Sequence, residues 1–93
     1  MDNQYEVIEK EKISSLTFPK IEVLKNPHDI IQRESDLKRA LSLGNLEHSK
    51  IKIYFEDNES KKVVDTTVWG ITEVGVLLKK GVIIPINRIY KLH

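Results

Sequence analysis

The chain contains no cysteine. That absence removes disulfides, thiolate metal ligands and cysteine nucleophiles together, and it fits a reducing compartment. Long apolar runs are missing too. No stretch approaches the roughly 20 residues of a transmembrane helix. The opening Met1-Asp2-Asn3-Gln4-Tyr5-Glu6 lacks the basic and apolar regions of a signal peptide. A cytoplasmic protein without membrane contact is the expectation. Aromatics make up only 6% of the chain, with one tryptophan. An excess of one charge is lacking as well: 15 Lys/Arg face 14 Asp/Glu, a net +1. Residues 1–49 carry seven basic and nine acidic groups, and residues 50–93 carry eight and five. That mild asymmetry permits a nucleic-acid surface without requiring one. With four glycines and three prolines, each one can be read as punctuation. Neither a glycine-rich phosphate loop nor a nucleophile elbow is present.

What is there is an ordinary globular composition, 40% hydrophobic and 31% charged over 93 residues, enough for one core. Residues 1–12 are charge-rich and read as a flexible tail; residues 13–93 read as a single small domain. Ile13 to Leu24, interrupted by Pro19, shows no clean period and is expected to run extended along the domain. Asn26-Pro27-His28-Asp29 starts a helix: Asn26 can cap, Pro27 suits the first position and Asp29 favours the positive dipole end. Ile30, Leu37 and Leu41 then share a face at helical spacing, with Ile31 and Ala40 beside them. Gly44 is a left-handed terminator, which places the helix at about 27–43.

The pattern then switches to period two. Ile51, Ile53 and Phe55 alternate with Lys52, Tyr54 and Glu56, giving a half-buried strand. Asp57 to Ser60 is a turn. Lys62 to Ile71, rich in β-branched residues, reads as one long second strand bent at Gly70. Val76-Leu77-Leu78, the turn Lys79-Lys80-Gly81 and Val82 to Ile86 follow as a hairpin. Proline in the run Ile84-Pro85-Ile86-Asn87-Arg88-Ile89-Tyr90 suggests a strand that stops, pivots at Asn87-Arg88 and resumes as a short fifth strand. The fold class is therefore α+β, mainly β: an N-terminal helix and a five-stranded, strongly bent antiparallel sheet or small barrel over residues 50–92.

This order resembles the Sm-like and SH3-like small barrels, in which a long second strand bends at glycine and a single turn precedes strand five. The ending Ile84-Pro85…Arg88-Ile89 is also similar to that of several small prokaryotic families. Sm proteins form rings and bind single-stranded RNA through loops before strands three and five. The resemblance therefore implies a role for Thr72 and Glu73, and for the loop Lys79-Lys80-Gly81. The Asp-x-x-Met-Asn signature of that family is absent.

Candidate chemistry is sparse. Lys50, Lys52, Lys61, Lys62, Lys79, Lys80, Arg88 and Lys91 could meet phosphates, and Tyr54 or Trp69 could stack bases. From these, Lys52, Tyr54, Lys79, Lys80 and Arg88 form the candidate nucleic-acid-binding set. The competing expectation is that strand lysines guard edges and that Trp69 is core, so that Trp69→Ala would cost roughly 3–5 kcal/mol. His28, His48 and His93 have no metal-site spacing, so neither a metal nor a cofactor is expected. Asp65 is expected on the solvent face, with burial against Arg88 as the alternative. The function these residues support is a non-catalytic binding or assembly module, its partner a protein or a second copy. Single-stranded nucleic acid is the alternative.

Overall fold

The computed structural model describes residues 4–93; of the expected tail, Met1 to Asn3 lie outside the described residues. The fold is α+β. One long helix, α1 (Pro27–Glu47), packs on seven short strands: β1 (Glu6–Val7), β2 (Ile51–Glu56), β3 (Lys61–Thr66), β4 (Gly70–Ile71), β5 (Gly75–Leu77), β6 (Ile83–Pro85) and β7 (Ile89–Leu92). They form a mixed four-stranded sheet, β1-β3-β2-β7, and a separate antiparallel sheet, β4-β5-β6. The expected single bent sheet or closed barrel is thus corrected to two sheets with no closed barrel among the described residues. Residues 4–12 contain β1, which runs parallel to β3, and the start of a 3-10 turn, Lys10–Ser15. That turn buries Ile13 in the core.

The helix starts as its sequence dictates. Asn26 Oδ1 accepts from the His28 N–H at 2.8 Å, and Pro27 takes the first position. Its buried face is Arg33, Leu37, Ala40 and Gly44, spaced four, three and four apart. Beneath it lie Ile53, Phe55, Val64, Val76, Leu78, Ile84 and Ile89, all buried. The core is mainly aliphatic, with Phe55 its largest fully buried side chain.

The docking of α1 is polar as well as apolar. Strand β7 pairs only with β2, leaving its other edge without a strand partner. Side chains of α1 occupy that edge. Arg33 Nη1 donates to Ile89 O at 2.9 Å, Asp36 Oδ2 accepts from the Leu92 N–H, and Arg39 Nη2 donates to Leu92 O at 3.0 Å. Arg33 is buried and also grips Glu22 with both terminal nitrogens at 2.7 Å, a bidentate, charge-assisted contact. The Ile13–Leu24 segment is thereby tied to the helix.

Gly44 does not end α1. The helix continues to Glu47, and the left-handed residue is His48 (φ 54°), whose N–H returns to the Gly44 and Leu43 carbonyls. Gly44 is small for another reason: a Cβ there would overlap the Val68 carbonyl oxygen. This close approach splits the expected long strand. After Thr66 the chain leaves β3, buries Val68 under the helix, and re-enters sheet structure only at Gly70.

The closing run behaves as its proline implies. β6 ends at Pro85, one 3-10 turn spans Ile86–Arg88, and β7 follows at once. Arg88, only 6% exposed, donates from Nε to Glu56 O at 3.0 Å, from Nη1 to Ile21 O at 2.6 Å and from Nη2 to Asp57 O. It fastens three carbonyls, whereas Asp65 is exposed. Lys62, also buried, reaches Asp57 at 3.0 Å and Ser60 Oγ at 2.7 Å. Burial alone would raise the Asp57 pKa; the Ser60 N–H, the Lys62 ammonium and the Glu59 N–H outweigh it and leave the value lowered.

Two outcomes follow from this docking. Gly→Ala inside a helix ordinarily stabilises by about 0.5–1 kcal/mol, but Gly44→Ala is expected to cost about 1–3 kcal/mol through overpacking against Val68. Urea unfolding reads the sign, and a stabilised variant would remove the close approach. The hydrogen bonds from Arg33 hold the Glu22 pKa below its ordinary 4.5 despite partial burial. A depressed carboxylate contributes stability that is fully present above its unfolded pKa and is lost as pH falls through the folded value. Stability is therefore expected to fall below about pH 4.5, and Glu22→Gln to flatten that acid limb in thermal melts across pH.

Candidate functional site

The structure separates the five residues expected to bind nucleic acid. Lys52 and Tyr54 line one shallow cavity on the face of the four-stranded sheet, together with Tyr5, Val7, Val63 and Asp65. Tyr54 is buried there, with the Tyr5 ring edge-on at 5.0 Å and the Lys91 ammonium 4.7 Å from its centroid. Lys61 sits 5.1 Å from the Tyr90 ring, so lysines of this face already cover tyrosines. Burial and a hydrogen bond to Glu56 push the Tyr90 hydroxyl pKa well up, which keeps it a neutral donor. Arg88 is spent on main-chain carbonyls. Lys79 and Lys80 are exposed on a 3-10 turn, Lys79–Gly81, in which Lys80 takes a left-handed φ of 66°. Thr72 closes its own turn, its Oγ1 accepting from the Val74 and Gly75 N–H groups.

A second grouping is chemically more coherent. The end of α1, the start of β2, the end of β3 and the turn after β5 enclose a groove of about 290 Å³. Its cations come from separate segments: Lys10 from the first 3-10 turn, Lys50 before β2 and Lys79 after β5, with His48 at the helix terminus. Thr66 and Thr67 form part of the wall, and Thr67 Oγ1 donates to His48 O at 3.3 Å. Trp69 completes it. None of Lys10, Lys50 and Lys79 is ion-paired with a described residue.

Two features separate this groove from three other cavities. Each of those has a carboxylate in its lining, Glu34 in one, Asp65 in another, Asp29 and Asp36 in the third; the groove has none. It also presents an unoccupied indole. Trp69 is 53% exposed, which corrects the expectation that it is core. Its neighbour Val68 takes the buried position instead. The Trp69 main chain is nevertheless fixed, its N–H donating to Leu77 O at 2.8 Å.

Lys50 and Trp69 stand out in the sequence as a possible phosphate contact and stacking ring, but Lys10 and His48 do not. Lys10 falls in the segment that reads as a tail, and His48 in a linker. Only the tertiary fold brings them beside Lys79. Among the described residues no group of three or more His, Cys, Asp or Glu could hold a metal ion, and no helix is long and apolar enough to cross a membrane. The chain matches no family model, no curated protein and no solved structure.

With its ring in solvent, Trp69 carries little folding energy. Trp69→Ala is expected to lower stability by no more than about 1 kcal/mol in chemical denaturation, far from the cost of deleting a core aromatic. A loss above about 3 kcal/mol would put the ring back in the core.

Proposed function

We propose that this chain is a non-catalytic binding module and that its working surface is the Lys10–Lys50–Lys79–Trp69 groove, which takes an anionic partner. The observation that carries this reading is the union of a half-exposed indole with three lysines that have no ion-pair partner among the described residues, in a wall without carboxylates. Cations gathered without counter-charges repel one another, at a cost that binding an anion relieves. The buried charged side chains point the same way. Arg33, Arg88 and Lys62 are engaged in fastening main-chain segments and turns, which is structural work.

Two of the sheet edges, those of β7 and β6, offer little to an added strand. The β7 edge is filled by α1 side chains. The β6 edge is three residues long and ends in Pro85, which has no N–H to offer a new strand.

Retention on a heparin column tests the reading with a ring-free polyanion. The wild-type chain is expected to elute at distinctly higher salt than the Lys50→Glu/Lys79→Glu double variant, with circular dichroism confirming that both are folded. Equal elution, or no retention of either at low salt, would move the function away from this groove.

A further inference from the structure

We propose that the groove recognises a nucleotide unit, its base stacked on Trp69 and its phosphates met by Lys10, Lys50 and Lys79. The inference rests on the groove being the binding surface and goes further by naming what fits it. An anionic partner needs only the lysines; the indole asks for a planar ring. On the sheet face, Lys61 and Lys91 lie over tyrosine rings. In the groove the pattern is reversed. Tryptophan is the best of the aromatic cation acceptors, and three lysines share its cavity, yet none of the described cation–ring pairs involves Trp69. Its face is open, and its backbone is pinned between buried Val68 and the Gly70–Leu77 strand pair. With the backbone already fixed, stacking on the exposed ring has only the side-chain torsions left to order.

Size and charge agree. A cavity of about 290 Å³ lies near the lower bound for small-ligand sites, about 300 Å³, which suits one base with its sugar and phosphate better than a folded domain. The lysines come from three separate chain segments and line the same cavity as the ring. The Thr67 hydroxyl, whose proton goes to His48 O, keeps its oxygen lone pairs as neutral acceptor capacity of the kind that sugars and base edges use. An acidic peptide would satisfy the cations but leave the indole face without a planar partner.

The nucleotide unit can come from two sources, a free nucleotide or a single strand, and the same titration separates them. Trp69 is the only tryptophan, so its fluorescence reports on the groove directly. The probes are uridine and adenosine monophosphates, an octathymidylate and heparin. The octathymidylate is expected to quench Trp69, and its affinity, followed by calorimetry, to fall about 5- to 100-fold in Trp69→Ala, as for loss of one stacked base, with Trp69→Phe retaining most of the binding. Lys50→Glu/Lys79→Glu is expected to weaken binding and flatten its salt dependence, by about 0.7 in log–log slope for each phosphate no longer neutralised. Mononucleotides that quench and bind as tightly as the octamer assign the site to free nucleotides. An octamer at least tenfold tighter assigns it to a strand. If heparin and octathymidylate bind alike, Lys50→Glu/Lys79→Glu weakens both and Trp69→Ala weakens neither, the nucleotide inference falls while the anion-binding groove stands. If no probe binds at low salt, both fall.

Discussion

The rest of the fold depends on how α1 is seated along β7. A terminal strand exposes main-chain donors and acceptors that must find partners. Here the partners are side chains of a helix, with Arg33, Asp36 and Arg39 spaced three residues apart and bonded to Ile89 and Leu92. Because guanidinium and carboxylate bonds are directional, the contact fixes the position of the helix along the strand as well as its presence. Apolar burial of Leu37 and Ala40 supplies the non-directional part.

Once α1 is held at that position, its last turns have one place to go. Gly44 comes against the Val68 carbonyl, Val68 is pressed into the core, and the strand that would have run on from Thr66 is interrupted. The interruption has two consequences. It divides the β structure into two sheets, and it turns Trp69 outward beside His48, which the same helix end supplies. Fold and groove therefore have one cause. The surface that offers an indole among lysines is a by-product of helix docking by a distant part of the chain.

Much of this was legible in the sequence, for identifiable reasons. Asn26-Pro27 marked the helix start, period-two alternation marked β2, and Pro85 marked the pivot before β7, because capping, alternation and a missing N–H are local effects. The helix end was misplaced because Gly44 answers a tertiary contact and not a backbone need; the left-handed site is His48. The barrel expectation failed at Val68-Trp69 on the same ground. β-branched residues favour a continuous strand, and nothing local reveals that a helix will lie across it. The candidate binding residues divide in the same way. Lys79 and Trp69 are recognisable as types, whereas the convergence of Lys10, His48 and Lys50 upon them is a product of the tertiary fold. Arg88 reads as a functional corner residue, and only its three carbonyl partners show it to be a clasp.

Native-state hydrogen exchange at the Leu92 amide tests the seating of α1 most directly, because this N–H points away from β2 and has Asp36 as its partner. If the helix caps the edge, the Leu92 amide is protected to nearly the same degree as that of Ile53 in the centre of the sheet. Exchange at the rate of the exposed Glu73 amide would mean that the edge is open, and with it the chain of causes from α1 to Trp69 would fail.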